Sequence, residues 1–273
     1  MAHFESDDDR KPCGSCCCGS ACYASEKTQG RRLNVRYFTK EWYALCLKTF
    51  LAELLEDDER AATKDEDFYN EVLKQRLGES LAMQDEIAKM SDEDVEIDIG
   101  EYETDYLRAL DERIKELSAV IPKDILAEVA DIRVFALNKA TPAVHKKLRI
   151  YCDGAQRKVD ETLKAYEDYY NSVDVPSEID DNLGFHDAVI TSAEMKDGNL
   201  RLDFDISQSF ATKSSVTFAD AKILEKETEF EGCVWLYDEL YPVDGGYELH
   251  ILAQAADMEH LVYFTVFCKD ILF

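Results

Sequence analysis

Positive charge is scarce in this chain: 31 Lys and Arg stand against 58 Asp and Glu, a formal net charge of -27 over 273 residues. Such a surface repels phosphate backbones, so nucleic-acid binding would need a local basic patch. The clustered cations are Arg31-Arg32, Lys146-Lys147-Leu148-Arg149 and Arg157-Lys158, the last among acidic neighbours, and none makes such a patch. Long apolar runs are missing too. No stretch reaches the roughly 18 residues that a membrane-spanning helix requires. Met1 to Arg10 is acidic and polar, without the basic and apolar regions of a secretory signal. The expectation is a cytoplasmic protein with neither nucleic acid nor membrane as partner.

Several catalytic signatures are also absent. The chain has no P-loop pattern, no GxGxxG and no GxSxG; Gly245-Gly246 reads as a hairpin rather than a strand-to-helix turn. A calcium loop begun at Asp92 would place Glu103 at its twelfth position, but Ile97 occupies the sixth, where the turn needs glycine. Asp238 and Glu239 are strand neighbours that point to opposite faces, so they make no glycosidase-type pair. No catalytic residue, cofactor or metal is assigned, and the balance is against an enzyme.

Nine cysteines divide unevenly. Cys46, Cys152, Cys233 and Cys268 are scattered through the body and read as small buried hydrophobes. The other five, Cys13, Cys16, Cys17, Cys18 and Cys22, lie in a segment, residues 1 to 34, that has no hydrophobic period and reads as a disordered tail. Its CxxC and CxxxC spacings are ones zinc accepts, although all the candidates fall in one short polar stretch. Codons offer another reading: Arg31-Arg32 can be AGG-AGG, a ribosome-binding sequence, and Val35 can be a GTG start, so that translation would begin at Val35.

From Thr39 the helical period takes over. Thr39 can cap a helix with Trp42, Leu45, Cys46 and Phe50 on one face, widened by Leu47, Leu51, Leu54 and Leu55, which predicts a well-buried helix. Further helical runs follow from Asp65 or Asp67, with Gly78 as a break or kink, and through Leu107, Leu110, Ile114, Leu117 and Ile121. Ile125 to Leu137 reads as another helix, and Thr141-Pro142 as the cap and first turn of a long one. After Val175-Pro176 the period becomes two. Strands are expected through Ala188 and Ile190, Leu200 to Ile206, Ser215 to Phe218, Ala221 to Glu225, Cys233 to Leu240, Tyr247 to Ala253 and Leu261 to Cys268. The fold class is α+β: a helical domain over 35–175, then an antiparallel β domain over 176–273, built as a sandwich or a curled half-barrel.

Val35 to Tyr43, reading VRYFTKEWY, resembles the opening of an uncharacterised bacterial family, a domain of unknown function of the 4085 type. Asp131 to Leu137 is similar to its central segment. Phe185-His186-Asp187-Ala188, Trp235 to Glu239 and Tyr247 to His250 are similar to its C-terminal part. The resemblance spans residues 35–273 and implies no activity.

Candidate binding residues are His186, Asp187, Trp235, Tyr237 and His250. A histidine beside a carboxylate can hold a metal or act as a base. Glu248 and His250 share a face at strand spacing, and His260 can approach from the next strand. Trp235 and Tyr237, two apart, should also share a face and line a recognition surface. The leading function is a noncatalytic protein-binding module with a basic protein partner, in its sharpest form a toxin-neutralising, immunity-like role. The alternative is a metal-dependent hydrolase using His186, Asp187 and His250.

Overall fold

A computed structural model of the chain describes residues 35–90 and 98–273. The cysteine-rich segment and the acidic stretch at 91–97 lie outside the described residues, and so do the readings of zinc spacing, start site and calcium loop. Val35–Phe273 forms one compact unit.

Thr39 does cap the first helix, α1 (Lys40–Thr49), its hydroxyl accepting the Trp42 N–H at 3.1 Å. The helix is shorter and less buried than its apolar pattern predicts, for Trp42 alone among its residues is buried. Phe50 to Leu55 continue as consecutive turns. The cause is the next pairing: β1 (Glu56–Asp57) lies parallel to β2 (Lys139–Ala140), with the Glu56 and Asp58 N–H groups donating to the Asn138 and Ala140 carbonyls at 2.8 Å. Glu56 also binds Arg76 at 2.7 Å and Lys139 at 2.6 Å, which draws the chain out of helical conformation.

α2 (Glu66–Met90) runs through Gly78 unbroken. A glycine inside a helix costs about 1 kcal/mol relative to alanine, too little to end a long helix. α3 (Ile99–Val120) buries Leu110 and Leu117. The helix expected over Ile125 to Leu137 is two short ones, α4 (Lys123–Leu126) and α5 (Ile132–Ala136). Buried Asp131 divides them by capping α5 through the Arg133 N–H at 3.0 Å. α6 (Pro142–Tyr170) opens on Thr141, as its cap predicts, and buries Val144, Leu148, Cys152, Ala155 and Val159. With Phe68, Val72, Leu110, Leu117 and the Val134–Leu137 run, Val144, Leu148 and Cys152 make the helical core.

After α7 (Ser177–Asp180) come eight antiparallel strands: β3 (Ala188–Lys196), β4 (Asn199–Asp205), β5 (Ser215–Ala219), β6 (Lys222–Lys226), β7 (Val234–Val243), β8 (Gly246–Gln254), β9 (Leu261–Cys268) and β10 (Asp270–Leu272). Asp197 and Gly198, at φ 51° and 82°, form the predicted β3–β4 turn. At the β7–β8 turn only glycine fits position 246, since a Cβ there would lie 2.0 Å from the Cys268 carbonyl oxygen.

The sheet order is β10-β5-β4-β3-β7-β8-β9-β6. β5 and β6 are thus six places apart, about 29 Å in a flat sheet, yet the chain joins them through Asp220 and Ala221 alone. Three peptide steps span only about 11 Å, so the sheet must curl until its ends approach. Of the two architectures open to the sequence this is the curled one. Its inner face carries a core that includes Phe185, Ile190, Leu202, Phe218, Trp235, Leu249 and Phe264. Its other face, over β7 to β9, meets α1 and α6 through Phe38, Trp42, Val159, Tyr166 and Tyr237.

Candidate functional site

Strand β7 carries the geometry that sorts the candidate residues. Its pairing with β8 shifts between Trp235 and Tyr237, a bulge that inserts one extra residue. Trp235 is therefore fully buried in the inner core against Phe185 and Phe204. Tyr237 turns to the opposite face, where it packs on Phe38, Trp42 and Tyr43. The expectation of a shared face fails because strand parity reverses across a bulge. Asp238 now sides with Trp235, accepting its indole N–H at 3.0 Å. Burial raises the Asp238 carboxyl to about 6, the Trp235 bond opposing the shift.

His186 and Asp187 sit in the loop ahead of β3, each side chain about half exposed at 49% and 50%. The His186 Nδ1 pairs with the carbonyl of Leu236, the residue within the bulge, and its ring centre lies 4.8 Å from that of Tyr237, the planes tilted at 57°. Its Nε2 lies 3.5 Å from Asp187 Oδ2. Asp187 is left-handed at φ 64°, held by its N–H to the Trp235 carbonyl at 2.8 Å. Tyr43 shares this corner, its hydroxyl pKa raised first by burial and then by the Asp187 charge. So His186, Asp187 and Tyr237 do come together.

His250 does not join them. It is buried on β8, its Nε2 2.8 Å from Glu248 Oε1, which bears out the expected shared face of that pair. Its Nδ1 has no hydrogen-bond partner among the described residues. Burial lowers the imidazole pKa, with the Glu248 carboxylate opposing. His260 stays in the exposed β8–β9 loop, bonded to Asp257 at 3.0 Å. Among the described residues no group of three or more His, Cys, Asp or Glu side chains could hold a metal ion.

On the same face stands Glu239, which the sequence offers only as half of a rejected carboxylate pair. Glu239, 1% exposed, accepts the Tyr37 and Phe38 N–H groups at 2.7 and 2.6 Å on one oxygen. Its other oxygen accepts the Arg36 N–H at 3.0 Å and the Tyr241 hydroxyl. A carboxylate is tolerated in the interior only when its oxygens are hydrogen-bonded in this way. The Arg36 guanidinium lies over the Tyr241 ring at 5.2 Å, adding positive charge nearby. Lys40 completes the attachment, its N–H bonded to the Tyr263 hydroxyl at 2.7 Å and its ammonium to Glu227 at 2.8 Å. The opening segment is thus fastened to the sheet. Its only sequence signal is a lone Glu at a position whose strand parity faces the helices.

The helical half offers a different kind of site. Between α1 and α3 runs a groove of about 620 Å³. Leu47, Phe50, Leu51, Leu54, Leu117 and Val120 line it, and Glu112, Arg113 and Glu116 stand along the α3 wall. Leu47, Phe50 and Leu54 are 59%, 64% and 64% exposed. The sequence did carry a hint: α1 and the turns after it have apolar residues on more sides than one core can cover. Trp42 takes the inner side, and the outer side is left bare.

A curled antiparallel sheet packed against helices, with an apolar groove beside α3, defines an α+β protein. The chain belongs to the family described as Protein of unknown function (DUF4085), which it matches over residues 83–264. That stretch takes in α3, the β7 bulge, Glu239 and His250, while the opening segment at 35–43 lies ahead of it. Comparisons with curated proteins and with solved structures gave no match.

Proposed function

We propose that the protein is a noncatalytic binding module, acting in the cytoplasm, whose partner is a basic protein. The observation that carries this reading is the α1–α3 groove, an apolar surface that a monomeric protein rarely leaves bare, walled by acidic side chains. The net charge of -27 supports a basic partner by steering its approach. A basic toxin neutralised by this chain is the sharpest form of the reading.

The test is affinity capture from native cell extract with wild-type protein and Leu54→Asp in parallel. A basic protein retained by wild type, released by salt and lost with Leu54→Asp is the expected result. Equal capture by the two proteins rules out the groove as the surface.

A further inference from the structure

We propose that the α1–α3 groove seats one amphipathic α-helix of the basic partner, its apolar face on Leu47, Phe50, Leu54 and Val120 and its Lys or Arg side chains over Glu112 and Glu116; this rests on the binding-module reading above. The walls decide the conformation of the occupant. The interior of α3 satisfies its own backbone hydrogen bonds, so that wall offers an incoming chain side chains rather than a pairing edge. A segment buried there must satisfy its own N–H and C=O groups, and a helix does so. An apolar groove along one face of a helix also fits the ridge of a second helix.

The rim decides the charge. Glu112 and Glu116 lie one turn apart on α3, are exposed, and make no ion pair among the described residues. Two cations lie between them in sequence: Arg113, which lines the groove and donates to the Asn138 side chain at 2.7 Å, and Lys115, which is not part of the lining. Two carboxylates that form no ion pair among the described residues thus stand beside the apolar floor, outnumbering the one cation, Arg113, in the lining. A second copy of this chain is a poor occupant, because two molecules of net charge -27 repel one another.

Fluorescence anisotropy with labelled synthetic peptides of about 14 residues, roughly four helical turns, tests the proposal on the full chain. One peptide places Leu at i, i+3, i+4 and i+7 with Lys on its flanks, and a second is its scrambled isomer. A third replaces Lys by Glu. The first should bind, and the others should be weaker by about tenfold or more. Phe50→Asp and Leu54→Asp should each weaken the first peptide by about tenfold. The Glu112→Gln/Glu116→Gln double variant should weaken it by about threefold and flatten its salt dependence. All these positions are exposed on the folded chain, and circular dichroism checks that the variants fold.

Equal binding of the scrambled peptide overturns the proposal, since charge alone would then explain attachment. So does wild-type affinity in both Asp variants. If Leu54→Asp abolishes capture of a basic protein while no helical peptide binds, the helical occupant is wrong and the groove reading stands. If capture is unaffected as well, the two fall together.

Discussion

Glu239 on β7 and Phe38 ahead of α1 are 201 residues apart in sequence, yet a Glu239 carboxylate oxygen accepts the Phe38 backbone N–H at 2.6 Å. The same side chain takes the Arg36 and Tyr37 N–H groups and the Tyr241 hydroxyl. It thereby sets where α1 starts and so where the groove wall stands.

Glu239→Gln is expected to destabilise the protein by about 2–4 kcal/mol, because an amide nitrogen would face donors that now meet a carboxylate oxygen. Tyr241→Phe, which removes one of four donors, should cost about 1 kcal/mol. Urea unfolding followed by tryptophan fluorescence measures the two, with Trp42 next to Phe38 as a local reporter. A Glu239→Gln protein as stable as wild type would remove the carboxylate from this role.

Asp238 makes a prediction about pH. Burial raises its carboxyl from 3.8 to about 6, so the folded state binds the proton more tightly than the unfolded chain. Stability from this group therefore falls as pH rises from about 4 to about 6, and the penalty is full above that range. Asp238→Asn keeps an acceptor for Trp235 and removes the buried charge. It should be more stable than wild type at pH 8, by up to about 3 kcal/mol at ~1.4 kcal/mol per pKa unit, with the gain gone below pH 4. Paired urea titrations across that range measure the difference.

His250 has the opposite sign. Burial lowers its imidazole pKa, against the pull of Glu248, Glu239 and Glu225, so the unfolded chain binds the extra proton first. Stability from this group is present above about pH 6.5 and lost as pH falls below it. His250→Gln should shrink the loss of stability between pH 7.5 and pH 5. NMR titration of the native imidazole checks the cause, and an ordinary midpoint would contradict it.

The four body cysteines should be slow toward alkylating reagents. Burial pushes the Cys46 thiol up to about 11 and Cys268 to about 12, and it raises Cys152 and Cys233 as well. Since the thiolate is the reactive form, peptide-resolved iodoacetamide labelling at pH 7.5 should find all four unmodified in native protein and modified in urea. Fast labelling of Cys46 would give it a reactive environment that its surroundings do not supply.

Local rules made much of this protein legible from sequence. The Thr39 and Thr141 caps, the long α6 stripe, the Asp197-Gly198 turn and the alternation of the strands each depend on residues a few positions apart. The pairing of Glu248 with His250 was legible for the same reason, being a matter of strand parity. What sequence could not show depends on partners far along the chain. Parity between Trp235 and Tyr237 fails because the β8 partner admits a bulge. α1 stops early because Glu56 is drawn to Arg76 and Lys139. Whether an apolar side chain becomes core or open groove depends on which element covers it. Sequence determined that α1 and its following turns are apolar on several sides; only the packing decided that Trp42 is covered while Leu47, Phe50 and Leu54 stay bare.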